Sequence, residues 1–206
     1  MNQLHIGQDL VCIGEIGTAG AGYLLRHHAE RIRERFSESY LRTETERLTQ
    51  YMTEAARAIQ PAGWPEQRIK EYGITKYAHI GEGGILSALW NFCSEEGLDP
   101  ETGRMRNPGA GCEFRYDRIP VRQFTMELCE LFDLLPYRLH SDCFLAAADQ
   151  GFRLCEALQA ENIPAAVFGR ITPGKKRLRT DGTEIAYLTN EHTEELAKLD
   201  GGIRRV

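Results

Sequence analysis

Twice in this chain an apolar strand runs through a cluster of glycines straight into an apolar-striped helix, and that repeated junction restricts the architecture most. The first junction starts at Leu10-Val11-Cys12-Ile13, a buried strand entered through Gly7-Gln8-Asp9. It passes into Gly14-Glu15-Ile16-Gly17-Thr18-Ala19-Gly20-Ala21-Gly22, where four glycines in nine residues mark a flexible turn. A helix follows, with Ala21, Leu25, His28, Ile32 and Phe36 at helical spacing. The second junction joins the strand Ile74-Thr75-Lys76-Tyr77-Ala78-His79-Ile80 to Gly81-Glu82-Gly83-Gly84. Its helix carries Ile85, Leu89 and Phe92 on one stripe, with Leu86, Trp90 and Cys93 beside it, and Gly97 as its cap.

Between the junctions, Leu41, Thr45, Leu48, Met52, Ala55 and Ile59 predict a second helix, interrupted before it at Ser37–Ser39 and ended by Pro61-Ala62-Gly63. Trp64–Gly73 reads as a loop or short helix. Residues 98–111 are rich in Pro and Gly and read as a long connection able to act as a flap. Cys112–Tyr116 alternates like a strand, and Val121, Phe124, Leu128 and Leu131 predict a helix stopped before Pro136. A strand around Phe144–Ala148 leads to a helix carrying Phe152, Cys155 and Leu158. Strands near Ala165–Ile171, Arg177–Arg179 and Glu184–Leu188 close the pattern, the last two joined by an Asp181-Gly182 turn. The alternation with antiparallel pairs at the end predicts one α+β domain over residues 1–190, a layered mixed β-sheet with flanking helices. Residues 191–206 read as a polar tail.

The chain of 206 residues fits one generous domain, and at 42% apolar residues it is large enough for a core without disulfides or metals. A net charge of −5 argues against nucleic-acid binding by bulk charge. The longest unbroken apolar stretch, Phe144 to Ala148, is far too short to cross a bilayer, and residues 1–5 lack the pattern of a signal peptide. The expectation is a cytoplasmic protein with no membrane contact. The six cysteines, at 12, 93, 112, 129, 143 and 155, include no Cys-x-x-Cys pair, and the adjacent His27-His28 diverge on a helix. They read as reduced, small apolar residues, and no metal site is expected.

Four groups of residues invite chemistry. Gly81-Glu82-Gly83-Gly84 opens a helix, where bare backbone N–H groups and the helix dipole favour an anion; the same glycines equally serve tight strand-to-helix packing. The Gly17–Gly22 turn offers the same two readings, and it matches neither a Walker loop nor a dinucleotide fingerprint. His140-Ser141-Asp142-Cys143 reads as a polar loop in which a thiol beside a His and a carboxylate suggests a nucleophile. Against that, strand neighbours point to opposite faces. Arg170, Lys175, Lys176, Arg177 and Arg179 form a basic run able to grip phosphate or RNA, but without interleaved aromatic residues they read better as the solvated face of a hairpin.

Taken in order, these pieces resemble a known family. Gly7-Gln8-Asp9-Leu10-Val11 with Gly17-Thr18-Ala19-Gly20 is similar to the opening of the C-terminal domain of the AIR synthase superfamily. Ala78-His79-Ile80-Gly81-Glu82-Gly83-Gly84-Ile85 resembles its Gly-Gly helix start. Ile119-Pro120-Val121-Arg122-Gln123, Pro136-Tyr137-Arg138-Leu139 and Ala165–Thr172 continue the series, nearest to the hydrogenase-maturation-factor branch. The resemblance implies an α+β fold of partly ferredoxin-like topology and a cleft at the Gly-Gly helix start. By that carry-over Gly83 and Gly84 sit at the cleft, with His79, Glu82 and the Ser141–Cys143 loop nearby. Gly81, Gly83, Gly84, Ser141 and Asp142 are then the expected anion or ligand contacts. If the chain is an enzyme, His79 and Glu82 are the acid–base candidates and Cys143 a nucleophile. Complete members carry an N-terminal domain that binds ATP through magnesium, for which 206 residues leave no room. His79-Ile80-Gly81 stands where the family often has Asp-x-Thr, and Cys143 where it has Gly.

The expected function is therefore a stand-alone domain that binds a ligand or partner and does not catalyse alone, with a small phosphorylated ligand as one candidate. The alternative is part of a split or homodimeric ATP-dependent enzyme that activates an amide or carbamoyl group. A homodimer or a separate ATP-binding chain is the expected partner, and ATP with magnesium enters only through that partner. Phosphate or RNA binding by the basic run is the weakest expectation.

Overall fold

The structure is a computed structural model, and it describes residues 4–58, 63–94, 96–98, 105–107, 109–189 and 194–199. Strand β1 (Asp9–Ile13) leads into α1 (Thr18–His27), α2 (Ala29–Arg35), α3 (Glu38–Ala58) and α4 (Glu66–Glu71). Strand β2 (Ile74–Gly81) leads into α5 (Gly84–Phe92), and β3 (Glu96–Leu98) pairs with β4 (Met105–Asn107) as a separate ribbon. Then follow β5 (Gly111–Phe114), α6 (Gln123–Phe132), β6 (Ser141–Ala148), α7 (Gly151–Ala160), β7 (Ala165–Thr172), β8 (Arg177–Asp181) and β9 (Glu184–Tyr187). Short 3-10 turns occupy Tyr116–Arg118, Pro136–Arg138 and Glu195–Lys198.

Seven strands form one mixed sheet in the order β2-β6-β1-β7-β5-β8-β9, parallel only between β5 and β8. In β1, Leu10, Val11, Cys12 and Ile13 are all completely buried. Successive strand residues point to opposite faces, so this strand is covered on both, which its unbroken apolar run requires. Helix α7 packs on β1 and β7, α5 on β2 and β6, and α1 on β6. A second apolar cluster joins α1, α2, α3 and α6 through Leu24, Ile32, Leu48, Phe124, Leu128 and Leu139. The architecture is the expected α+β one: a mixed sheet with flanking helices.

Some local expectations need correction. The helix expected to run through Phe36 breaks at His28, whose φ of −128° leaves the helical region. The His28 ring lies 5.3 Å from Phe132, and the Arg31 guanidinium covers the same Phe132 ring, so the break turns α2 onto α6. Gly97 is no helix cap, because α5 has already ended and Gly97 lies in β3. Trp64–Gly73, expected as a loop or short helix, takes the second form as α4. Cys112–Tyr116 is a strand only to Phe114; Tyr116 turns into a 3-10 helix and stacks on Tyr137 at 4.0 Å. The end of the second helix at Ile59 and the Pro61-Ala62 stop lie outside the described residues, as does half of the flap assigned to 98–111; residues 105–107 of it are the strand β4. Of the polar tail, residues 194–199 form a docked turn with Glu195 and Leu196 buried.

All six cysteines are buried and free of disulfides. No helix among the described residues is long and apolar enough to cross a membrane.

Candidate functional site

Both glycine junctions meet one segment of the chain, Pro136–Ser141. At the first, the Gly17 N–H donates to Ser141 Oγ at 2.7 Å, and the Gly20 N–H donates to the His140 carbonyl at 3.0 Å. A Cβ on Gly20 would lie 2.2 Å from Leu139 Cγ. This junction is filled by protein atoms, so its glycines serve close packing. Ser141 Oγ also donates to the Leu139 carbonyl at 2.8 Å and is completely buried. The hydroxyl proton and one lone pair are engaged within the protein and the side chain is out of reach of solvent, which corrects its placement as a ligand contact. Ser141→Ala is expected to destabilise the protein by about 2–3 kcal/mol, because it strands a buried N–H and a buried carbonyl. Urea unfolding of the variant checks this, and a loss within experimental error would show the hydroxyl to be dispensable.

The second junction is different in kind. Strand β2 ends at Gly81, Glu82 is exposed on the turn, and Gly83 takes the left-handed conformation at φ +72° before α5 begins. Gly84 presses so close to the 3-10 turn that a Cβ there would lie 2.4 Å from the Tyr137 carbonyl oxygen. That approach sets the start of α5 beside His140. The Gly83 N–H donates to Glu194 Oε2 at 2.7 Å, and the His140 N–H donates to Glu194 Oε1 at 3.1 Å. Two backbone donors from two elements thus converge on the two oxygens of one carboxylate, at the positive end of a helix dipole.

The rim of this cradle is polar and titratable. His79 on β2 and Asp142 on β6 are each about half exposed, with Nε2 and Oδ1 3.5 Å apart. The His140 Nε2 lies 3.8 Å from the same Asp142 oxygen. The His79 ring meets the edge of Phe144 at 5.3 Å, which fixes its tilt. Gly81, His79, Glu82, Gly83, Gly84, Asp142 and His140 therefore gather at one end of the β2–β6 pair.

Cys143 does not join them. Strand β6 begins at Ser141, three residues earlier than its apolar pattern predicts, so His140–Cys143 is largely strand. Alternation then sends Asp142 outward and Cys143 inward, where it is completely buried. Burial and the neighbouring Cys12 thiol push the Cys143 thiol well above its ordinary value. A thiol held protonated out of reach of solvent is no nucleophile, and the catalytic reading of Cys143 is withdrawn.

The basic run is likewise occupied. Arg170 pairs with Glu113 at 3.0 Å, Arg177 stacks over Trp90 at 4.1 Å, and Arg179 covers Tyr116 while pairing with Asp181 at 2.8 Å. The aromatic partners absent from the local sequence arrive from other elements and hold the arginines on the sheet. Among the described residues no group of three or more His, Cys, Asp or Glu side chains is placed to hold a metal ion.

Sequence reasoning missed Glu194 altogether, since nothing in a polar tail singles out one glutamate. At His140 the cradle uses the backbone N–H and not the side chain.

No family model and no curated protein matches the chain. Solved structures do. Escherichia coli HypE, a hydrogenase maturation protein, is matched over 94% of this chain and 52% of that one, with a TM-score of 0.62 and 16% identity. A HypE–HypF complex is matched over 92% of this chain and 55% of that one, at TM-score 0.59 and 12% identity. Thiamine-monophosphate kinase from Stenotrophomonas maltophilia is matched over 86% of this chain and 51% of that one, at TM-score 0.52 and 19% identity. The chain spans about half the length of these structures, and at such identities the likeness is one of fold. The fold is similar to the AIR synthase-related one, in agreement with the resemblance carried by the glycine junctions.

Proposed function

We propose that the chain is a ligand-binding or partner-binding module whose ligand presents a carboxylate or phosphate to the Gly81–Gly84 turn, and that it does not catalyse a reaction alone. The observation that carries this reading is the convergence of the Gly83 and His140 N–H groups on one carboxylate. An oxyanion in that position is stabilised by two preorganised donors and by the dipole of α5, with no positively charged side chain required. His79, Glu82 and Asp142 on the rim are suited to the hydroxyl, amide or amine groups of a small phosphorylated molecule. The name of one matched protein, thiamine-monophosphate kinase, points to a ligand of that class. For the partner, a second copy or a separate ATP-binding chain, the support is the edge strand β9, where Ile185 and Tyr187 are both exposed.

Titration of the isotope-labelled chain with inorganic phosphate and pyrophosphate tests the reading. Movement of the Gly83 and His140 amide resonances, without ATP hydrolysis, is the expected result. Saturating phosphate that moves neither resonance, in this chain or with Glu194 replaced, removes the site.

A second reading makes the chain one part of an ATP-dependent enzyme completed by a partner. The pairing of His79 with Asp142 favours it, since a carboxylate beside an imidazole is the arrangement that orients a general acid or base. ATP hydrolysis that appears only when an ATP-binding partner chain is added, and that His79→Ala abolishes, would move the assignment there.

A further inference from the structure

The anion cradle is filled from within. Glu194 belongs to a turn at the far end of the described chain, 111 residues from Gly83. The turn is held by more than this carboxylate. Glu195 is 3% exposed and accepts the Leu135 N–H at 3.1 Å, while pairing with Lys198. Leu196 and Leu199 join the helical apolar cluster of Phe124, Leu128 and Leu139. Glu194 also caps its own 3-10 turn, accepting the Leu196 N–H at 3.5 Å. The anchoring is thus apolar and buried on one side, and a single carboxylate projects from it onto the two amides.

We infer that residues 194–199 form an autoinhibitory strap, with Glu194 as an internal stand-in for the anionic group of the ligand. The inference rests on the reading of the Gly81–Gly84 turn as an anion site and adds its regulation. Glu194 satisfies both donors with two oxygens of one planar group, and the two N–H groups have no capacity left for a second anion. An incoming phosphate also meets the negative charge of Glu194 at hydrogen-bonding range, so the two anions exclude one another. A tethered carboxylate competes at high effective concentration, and the apparent affinity for an external anion falls by the fraction of time the strap is docked. Binding therefore couples to release of the turn. A ligand, or a partner that takes hold of Leu196 and Leu199, opens the site by releasing one short element while the rest of the fold stays intact.

Calorimetric titration of the full chain and of Glu194→Gln and Glu194→Ala with inorganic phosphate tests the competition, and hydrogen exchange at the Gly83 and His140 amides tests the docking. Removing the charge is expected to tighten phosphate binding roughly tenfold, the equivalent of one charge-assisted hydrogen bond. Both amides are expected to be protected in the parent chain and to exchange faster in the alanine variant. Equal phosphate affinity in all three proteins overturns the strap while leaving the anion site standing. Unprotected amides in the parent chain overturn it as well. No binding to any of the three, with the amides released in the variant, overturns the anion site and the competition together.

Discussion

Gly84→Ala is expected to lower stability by about 3–5 kcal/mol, the sum of backbone strain and a clash that neither neighbour can relieve. Gly84 has φ +64°, a region in which an L side chain is strained. Its added Cβ would lie 2.4 Å from the Tyr137 carbonyl oxygen and 2.8 Å from Arg138 C and Cα. These are backbone atoms of a 3-10 turn flanked by the buried Pro136 and Leu139, so no rotamer change makes room. Gly182→Ala separates the two costs, because Gly182 has φ +62° but nothing within 4 Å of an added Cβ. Strain alone gives that control a loss of about 1 kcal/mol. Urea midpoints with unchanged slopes measure both. Equal losses in the two variants would mean that the close approach of α5 to Tyr137–Arg138 does not limit the fold. The consequence for the site follows from the same contact: displacing Arg138 shifts the His140 N–H, so the variant is expected to lose the cradle along with the stability.

Much of the framework was legible because it is written in local pattern. The unbroken run Leu10–Ile13, entered and left through glycines, reads as a strand with both faces covered, and it lies inside the sheet between β6 and β7 as β1. The periodic apolar stripe of Phe124 and Leu128 is a helix facing the second cluster, and Asp181-Gly182 joins β8 to β9. The glycine junctions were legible as junctions. What the sequence withheld is that both rest on Pro136–Ser141, a contact 124 residues distant at Gly17. Periodicity carries no information at that range. The expected start of β6 lies too late for a related reason: Ser141 and Asp142 look polar, yet Ser141 is buried because its hydroxyl is satisfied inside the protein, and Cys143 is buried as a small apolar residue. The candidate site divided along the same line. His79, Glu82 and the three glycines lie along one strand-to-helix junction, and Asp142 comes beside His79 from β6. Cys143 was lost to strand alternation, and Glu194 was invisible because a carboxylate gains its meaning there only from two amides that other segments bring together.

The convergence on one segment makes a second large effect measurable, between Gly20 in α1 and Leu139. Leu139→Ala is expected to cost about 2–5 kcal/mol, since Leu139 is completely buried and helices α1 and α6 pack around it. Gly20→Ala alone is expected to be destabilising despite the better helix propensity of alanine, by about 1–2 kcal/mol. The Cβ would lie 2.2, 2.7 and 2.8 Å from Leu139 Cγ, Cδ1 and Cδ2, and the overpacking exceeds the gain of about 1 kcal/mol from removing a helical glycine. In the double variant the two defects cancel in part. The methyl at position 20 enters the space that Leu139 vacates, the cavity shrinks, and the propensity gain is realised without a clash. The pair is therefore expected to be more stable than Leu139→Ala alone, with a coupling of about 1–3 kcal/mol in a double-mutant cycle. Four urea curves decide it. Losses that add within about 0.5 kcal/mol would show that Gly20 and Leu139 do not share a contact. Strong coupling would establish that α1 is pinned to the same segment that carries the His140 N–H, so that the first glycine junction holds the second one's anion donor in place.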